Sequence, residues 1–322
     1  MPTSIPLLIL ILIAGLALIV FGAEWLVDGA SGIARKAGIS EFVIGLTIMG
    51  FGTSCPELVV SVTGALAGSS DISAGNVIGS NIFNTLLILG LTAIIAPIAI
   101  TRDNKRRDIP MTIAVTVLFI VCGMSKTLFG LGATDGLSRI EAAVFLALFV
   151  IYIYYCFKMG KAEETDSGGK QLSIAAGIGL VLAGLAGLVI GGRLFVDSAI
   201  DLARQLGVSD KFIAITILAG GTSLPELATC VVAAAKKKGQ LALGNILGSN
   251  IFNILLILGC SALVRPLHFS GINLVDMGVL LLSALLVLSS AYTGKKDTMD
   301  PFDGSLMLVC EAAYMAWLIL NL

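Results

Sequence analysis

The chain has 322 residues, 57% of them hydrophobic and only 13% charged, where soluble domains carry about 25% charged residues. That balance excludes an ordinary soluble enzyme and points to a polytopic membrane protein, and the formal net charge of −1 excludes the basic surface that nucleic-acid binding needs. Cys55, Cys122, Cys156, Cys230, Cys260 and Cys310 are scattered through apolar runs and form no CxxC. They predict neither a zinc site nor a disulfide framework and read as small packing residues.

Crossing a bilayer takes about 20 apolar residues. Ten runs meet that length, near 5–33, 41–67, 73–98, 109–130, 138–158, 172–202, 210–235, 241–264, 271–293 and 302–321. The first has no basic residue ahead of it and no small-residue cleavage site, so it reads as a membrane helix rather than a signal peptide. The second run contains Gly52-Thr53-Ser54-Cys55-Pro56-Glu57. Pro56 removes a backbone donor and clashes with the preceding turn. A glutamate facing lipid at mid-bilayer costs roughly 2.5–3.5 kcal/mol. The run is therefore expected to be a broken helix whose backbone lines a cavity or is buried in protein. The third run carries Gly75-Asn76-Val77-Ile78-Gly79-Ser80-Asn81-Ile82-Phe83-Asn84. After the fifth, the polar stretch 160–171, with Glu163, Glu164, Asp166 and a Gly-Gly pair, reads as a solvated linker. The seventh run contains Gly221-Thr222-Ser223-Leu224-Pro225-Glu226, and the eighth contains Gly244-Asn245-Ile246-Leu247-Gly248-Ser249-Asn250-Ile251-Phe252-Asn253.

The second pair of motifs repeats the first at an offset of 169 residues, without a gap from Val27-Asp28 against Val196-Asp197 to Pro97 against Pro266. This is an internal duplication. Five spans per repeat is an odd number, so the second repeat enters the membrane from the opposite side, and corresponding elements meet near the midplane. The expected fold is an all-α integral membrane protein of ten helices in two inverted five-helix repeats. Residues 1–159 form the first repeat, with its motif region at 43–97. Residues 160–171 form a cytoplasmic linker, and 172–322 the second repeat, with its motif region at 212–266. Fourteen of the 20 lysines and arginines, Arg102 to Arg107 and Lys236 to Lys238 among them, fall on the side of that linker, and five on the other. The positive-inside rule then places both termini outside and the central loop in the cytoplasm, in a cell (inner) membrane. Glu24, Asp28, Arg193, Asp197 and Asp201 read as interfacial or snorkelling groups, and His268 falls in a loop.

Positions three and four apart share a helix face. Ser54, Glu57 and Ser61 form one such stripe, and Asn76, Ser80 and Asn84 another. Ser223 with Glu226, and Asn245, Ser249 and Asn253, repeat them. Any single Ser or Asn here can be interhelical hydrogen-bond glue, but intramembrane carboxylates at duplicated positions are functional by default. Two carboxylates, amide and hydroxyl oxygens and carbonyls freed by two prolines make an all-oxygen site. Hard cations want such ligands, calcium about 6–8 of them, and two glutamates offset one divalent charge.

At these residues the chain resembles the cation/calcium exchanger (CaCA) superfamily, most closely its compact prokaryotic sodium/calcium exchangers, over essentially its whole length. The hallmark is two repeats, each with Gly-Thr-Ser-x-Pro-Glu followed by Gly-Ser-Asn-x-x-Asn or Asp, and both motifs stand here twice. The resemblance implies a site at the centre of the second, third, seventh and eighth helices. There Glu57 and Glu226 would be carboxylate ligands shared by calcium and sodium. Thr53, Ser54, Ser80 and Asn84 would complete one half, and Thr222, Ser223, Ser249 and Asn253 the other. Gly50 and Ala219 match positions that contribute backbone carbonyls, and the first and sixth helices would slide as a gate. Potassium-dependent relatives carry Asp where this chain has Asn253, and the proton/calcium branch usually shows a Gly-Asn-Ala-x-Glu motif, so the resemblance favours sodium as the driving ion.

The expected function is therefore sodium/calcium antiport by alternating access, not enzymatic, with calcium and sodium as transported ions and no cofactor. The partners are small inorganic cations and the lipid bilayer, with no nucleic acid; protein partners are not legible. A proton/calcium or other divalent exchanger on the same fold is the alternative. An intramembrane lipid phosphatase is remote, because phosphate would want a buried Arg or His beside the Glu and Ser, and neither motif has one.

Overall fold

The computed structural model describes residues 4–159, 172–207, 219–293 and 297–321, and these are almost entirely helical. In chain order the helices are Ile5–Ala37 (α1), Glu41–Thr53 (α2), Cys55–Leu66 (α3), Ser70–Ile95 (α4), Ile109–Gly123 (α5), Ser125–Phe129 (α6) and Arg139–Met159 (α7). Then come Ile174–Gln205 (α8), Ala219–Gly221 (α9), Leu224–Ala235 (α10), Gly239–Val264 (α11), Leu274–Ser289 (α12) and Pro301–Leu320 (α13). Six of these are each long and apolar enough to cross a bilayer, and α2 with α3 makes one further span. The rest coincide with the expected fourth, seventh and ninth spans, which gives the ten-helix arrangement. The linker 160–171 and the start of the expected seventh span, residues 208–218, lie outside the described residues.

The inversion of the repeats is visible in the contacts. α1 and α8 run antiparallel, with Gly15, Gly22 and Gly29 against Gly191, Gly184 and Gly177. Each set recurs every seven residues, two helical turns, and so makes one stripe. A Cβ on Gly22 would stand 2.8 Å from the Leu188 amide nitrogen, and one on Gly184 would stand 2.6 Å from that of Leu26. The two backbones touch, as small residues permit between membrane helices. The opposite face of α1, including Leu10, Ile13, Phe21 and Trp25, is exposed and apolar, as a lipid-facing surface must be.

Two short strand pairs repeat the inversion. Ile98–Ala99 (β1), which follows α4, pairs antiparallel with Thr298–Met299 (β4), which precedes α13. Gly136–Leu137 (β2), which precedes α7, pairs with Leu267–His268 (β3), which follows α11. Each repeat thus lends the strand after its third span to the strand before the other repeat's fifth. Asp28 on α1 is bound by Lys236 at 2.8 Å, so this group, expected at a helix end, is tied to the turn after α10.

Candidate functional site

The broken helix forms where the proline requires it. α2 ends at Thr53, Ser54 has φ −83° and ψ 4°, and α3 starts at Cys55 with Pro56 in its first turn and a bend of 47°. Pro56 is tolerated there because first-turn N–H groups lack helical partners anyway. The second repeat does the same at Ser223, with φ −88° and ψ 7°, and Pro225 in the first turn of α10. Glu57 and Glu226 thus stand in the first turn of a half-helix just past each break.

α2 lies backbone to backbone on α11. A Cβ on Gly45 would sit 2.4 Å from the Leu241 carbonyl oxygen, and one on Gly248 would sit 2.2 Å from that of Leu46. This close approach delivers Asn245 and Ser249 to the first break. Both Asn-rich helices depart from α-helical winding at the motif's last asparagine: Asn84–Leu89 and Asn253–Leu258 are π-helical, as is Gly45–Met49 within α2. Single π turns inside α-helices are frequent at functional sites.

Glu57 and Glu226 are each 1% exposed. Their hydrogen bonds cross between the repeats. The Ser54 hydroxyl donates to Glu226 Oε1 at 3.2 Å, and the Ser223 hydroxyl to Glu57 Oε1 at 3.4 Å. The asparagines cross in the same way. Asn84 Nδ2 donates to Asn250 Oδ1 at 3.3 Å, and Asn253 Nδ2 to Asn81 Oδ1 at 2.9 Å. Among the described residues, five buried oxygens here have no hydrogen-bond partner: Glu57 Oε2, Glu226 Oε2, Asn84 Oδ1, Asn253 Oδ1 and the Thr222 hydroxyl.

The remaining expected residues occupy the same region with other contacts. Ser80 and Ser249 are buried one turn before Asn84 and Asn253. The Ser249 hydroxyl lies 3.4 Å from the Gly50 carbonyl oxygen, which also accepts the Ser54 N–H at 3.2 Å. The Thr53 hydroxyl donates to Met49 O at 3.0 Å and faces Asn245 Oδ1 at 3.4 Å, so it differs from its repeat partner Thr222. Ala219 opens α9, two residues before the second motif. Asn76 acts as glue, donating to Ser61 Oγ at 2.9 Å and to the Glu57 carbonyl at 3.3 Å. Asn245 donates to Thr229 Oγ1 at 3.1 Å.

The expected ligand set omits Asn81 and Asn250, although both stand in the motifs. Asn81 accepts from Asn253, and Asn250 accepts from Asn84. Asn81 is itself tied to the Asn250 carbonyl at 3.1 Å, and Asn250 to Thr85 Oγ1 at 2.8 Å. These partners fix which way each inner amide points, and an amide turned the other way would present hydrogens to the centre. Their signal was in plain view: an Asn immediately after Ser80 and after Ser249, three residues before the inner Asn of its own repeat, although each orients the inner amide of the other repeat. Partners that orient ligands typically cost 10–100-fold in affinity when lost. Asn81→Leu is accordingly expected to weaken calcium binding by roughly tenfold or more, with a smaller loss for Thr85→Val, as read by isothermal calorimetry on detergent-solubilised protein.

The comparisons with known proteins agree along the whole chain. The family model for the sodium/calcium exchanger protein matches residues 7–158 and 176–320. The putative antiporter CaxA of Alkalimonas amylolytica is 37% identical over 314 residues, covering 94% of this chain and 95% of that protein. The sodium/calcium exchanger MaX1 of Methanosarcina acetivorans is 33% identical over 312 residues, covering 87% and 89%. A solved structure of the sodium-calcium exchanger NCX_Mj, soaked with sodium and calcium, superposes with a TM-score of 0.84 at 35% identity, covering 98% of this chain and 99% of that one. With both halves of the chain matched and both motif pairs folded into one buried centre, this multi-pass membrane protein belongs to the sodium/calcium exchanger family.

Proposed function

We propose that the chain is an antiporter that moves calcium one way and sodium the other by alternating access, binding both ions among Glu57, Glu226, Asn84, Asn253 and the flanking Ser, Thr and backbone oxygens. The observation that carries this reading is the set of buried acceptor oxygens without donors. An unsatisfied buried polar group costs about 1–3 kcal/mol, and more when charged. Two carboxylates and two amide oxygens left so in one enclosed centre are a poor arrangement for packing and a good one for a hard cation.

The coupling follows from charge. An empty centre with two ionised carboxylates is costly to enclose in a low dielectric. One calcium, or sodium ions in its place, neutralises it, so the loaded protein crosses and the empty one does not. Both ions compete for the same oxygens, which makes the transport an exchange. α1 and α8, joined along their glycine stripe, slide as one gate over the centre. Asn253 brings an amide where an aspartate would add charge, so potassium is not needed. The two repeats, 1–159 and 172–322, have both termini outside and the linker in the cytoplasm.

The test is calcium-45 uptake into proteoliposomes loaded with sodium and diluted into potassium or choline, with a parallel pH-gradient arm. Uptake is expected only with an outward sodium gradient, at equal rates in potassium and choline. Uptake driven by the pH gradient and indifferent to sodium would select the proton/calcium alternative and overturn sodium coupling. Faster uptake in potassium would overturn the reading of Asn253.

A further inference from the structure

A further buried carboxylate lies outside the exchange centre. Glu311 sits near the middle of α13, on the face that also buries Gly304 and Met307, and is 5% exposed. Its Oε2 is enclosed and has no hydrogen-bond partner among the described residues. α13 packs chiefly on α4, from Asn84 to Ile95, and on α12. That stretch of α4 carries no ionisable side chain, and α12 carries only Asp276. On α13 itself the ionisable groups are Asp303, Cys310, Glu311 and Tyr314. None of these elements brings a cation to Glu311.

Packing does not require an acid at this position. Gly90 of α4 is met by Gly304, Met307 and Leu308 of α13, and its repeat partner Gly259 is met by Ala142 and Leu146 of α7. In this register Gly304 answers Ala142 and Leu308 answers Leu146. Three residues on, Glu311 answers Phe149, whose ring packs edge-on against Phe252 with centroids 4.9 Å apart. One repeat thus fills the position with an aromatic ring and the other with a carboxyl group. From Glu311, the next turn of α13 leads to Tyr314, whose hydroxyl donates to Asp276 Oδ1 at 2.8 Å. Asp276 lies in the first turn of α12, where it also accepts the Asn273 N–H at 3.0 Å.

We propose that Glu311 is a proton-binding site, separate from the exchange centre and reached through Tyr314 and Asp276 from the N-terminal end of α12. The bound proton makes the group a neutral acid that fits its apolar surroundings, since a bare carboxylate without a counter-charge is expensive at membrane depth. Release of the proton places a charge against α4, the helix whose π-helical stretch begins at Asn84. The proton is then a ligand that acts on the rate of exchange without occupying the exchange centre.

The site is tested without reference to what the exchange centre carries. Infrared difference spectra are recorded between unaltered protein and Glu311→Gln, both in liposomes with calcium. The expected difference is the loss of one neutral-acid C=O band, whereas loss of a carboxylate band instead would overturn the proposal. Glu311→Gln keeps the shape of the neutral acid and is expected to insert and exchange, with the pH dependence of the exchange rate flattened. A second reading needs no variant. Dicyclohexylcarbodiimide adds to neutral carboxyl groups in apolar surroundings, so intact calcium-loaded protein is expected to carry one adduct on the α13 peptide, and its absence would count against the bound proton. A failed sodium-gradient experiment leaves both of these readings unaffected.

Discussion

Glu57→Gln and Glu226→Gln are each expected to abolish sodium-dependent calcium exchange while leaving the protein inserted and folded. Each substitution removes one full charge from a centre where both glutamates are almost wholly buried. A divalent cation then keeps an uncompensated positive charge in a low dielectric. Stripping one partner from a buried charge pair costs roughly 3–5 kcal/mol, on the order of 10²–10⁴-fold in affinity. The amide also brings an N–H₂ group among acceptors, which repels a cation where Oε2 attracted one. The folded state itself is expected to tolerate the change, because a carboxylate in an empty site is a burden, so melting without calcium should be unchanged or slightly higher. The two variants should be alike, since the crossed bonds from Ser54 and Ser223 make the glutamates equivalent. The measurements are calcium-45 flux and thermal unfolding with and without calcium. Calcium-for-sodium exchange surviving in both variants would refute the assignment of the carboxylates.

The second large effect is expected at the seam between α1 and α8. Gly184→Leu places a side chain where even a Cβ would come within 2.6 Å of the Leu26 nitrogen and 2.7 Å of the Gly22 carbonyl oxygen. Both neighbours are backbone, which has no rotamer by which to move aside, so the helices must separate. Overpacking costs typically 1–3 kcal/mol where a core can adjust, and two touching backbones adjust less than side chains do. Exchange should fall at least tenfold, because the proposed gate of two helices would have to travel as one body. Gly179→Leu on the same helix is the control. A Cβ there meets nothing within 4 Å, and the position is exposed, so flux and melting should stay close to those of the unaltered protein. Equal flux from Gly184→Leu and Gly179→Leu would show that the close contact is not needed for transport.

The difference in kind between these predictions reflects what each part of the chain is for. Gly15, Gly22 and Gly29 matter for what they lack, and they act through contact between whole helices. Glu57 and Glu226 matter for single oxygen atoms that the fold leaves without partners. Asn81 and Asn250 stand between the two: they leave the centre to other atoms and determine which atoms those are.

The sequence by itself determined the membrane class, the ten spans, the duplication and the two breaks. Each of these is a local or periodic property. Apolar length specifies a span, Pro56 and Pro225 specify a break whatever lies around them, and an offset of 169 residues is legible without coordinates. The odd number of spans also implied the inversion, which the β1–β4 and β2–β3 pairs express. Tertiary structure decided everything that depends on which side chain meets which across the repeats. The serine of one motif serves the glutamate of the other, a relation between residues 172 or 166 positions apart that no spacing rule reaches. Thr53 and Thr222 are identical by motif, yet the Thr53 hydroxyl is taken by Met49 O and Asn245, while the Thr222 hydroxyl finds no partner among the described residues. The isolation of Glu311 likewise appears only when α13 is laid on α4, because a lone glutamate in an apolar run carries no mark of whether a cation packs against it. Hydrogen bonds and ion pairs are short-ranged, so their pattern exists only once the helices have packed.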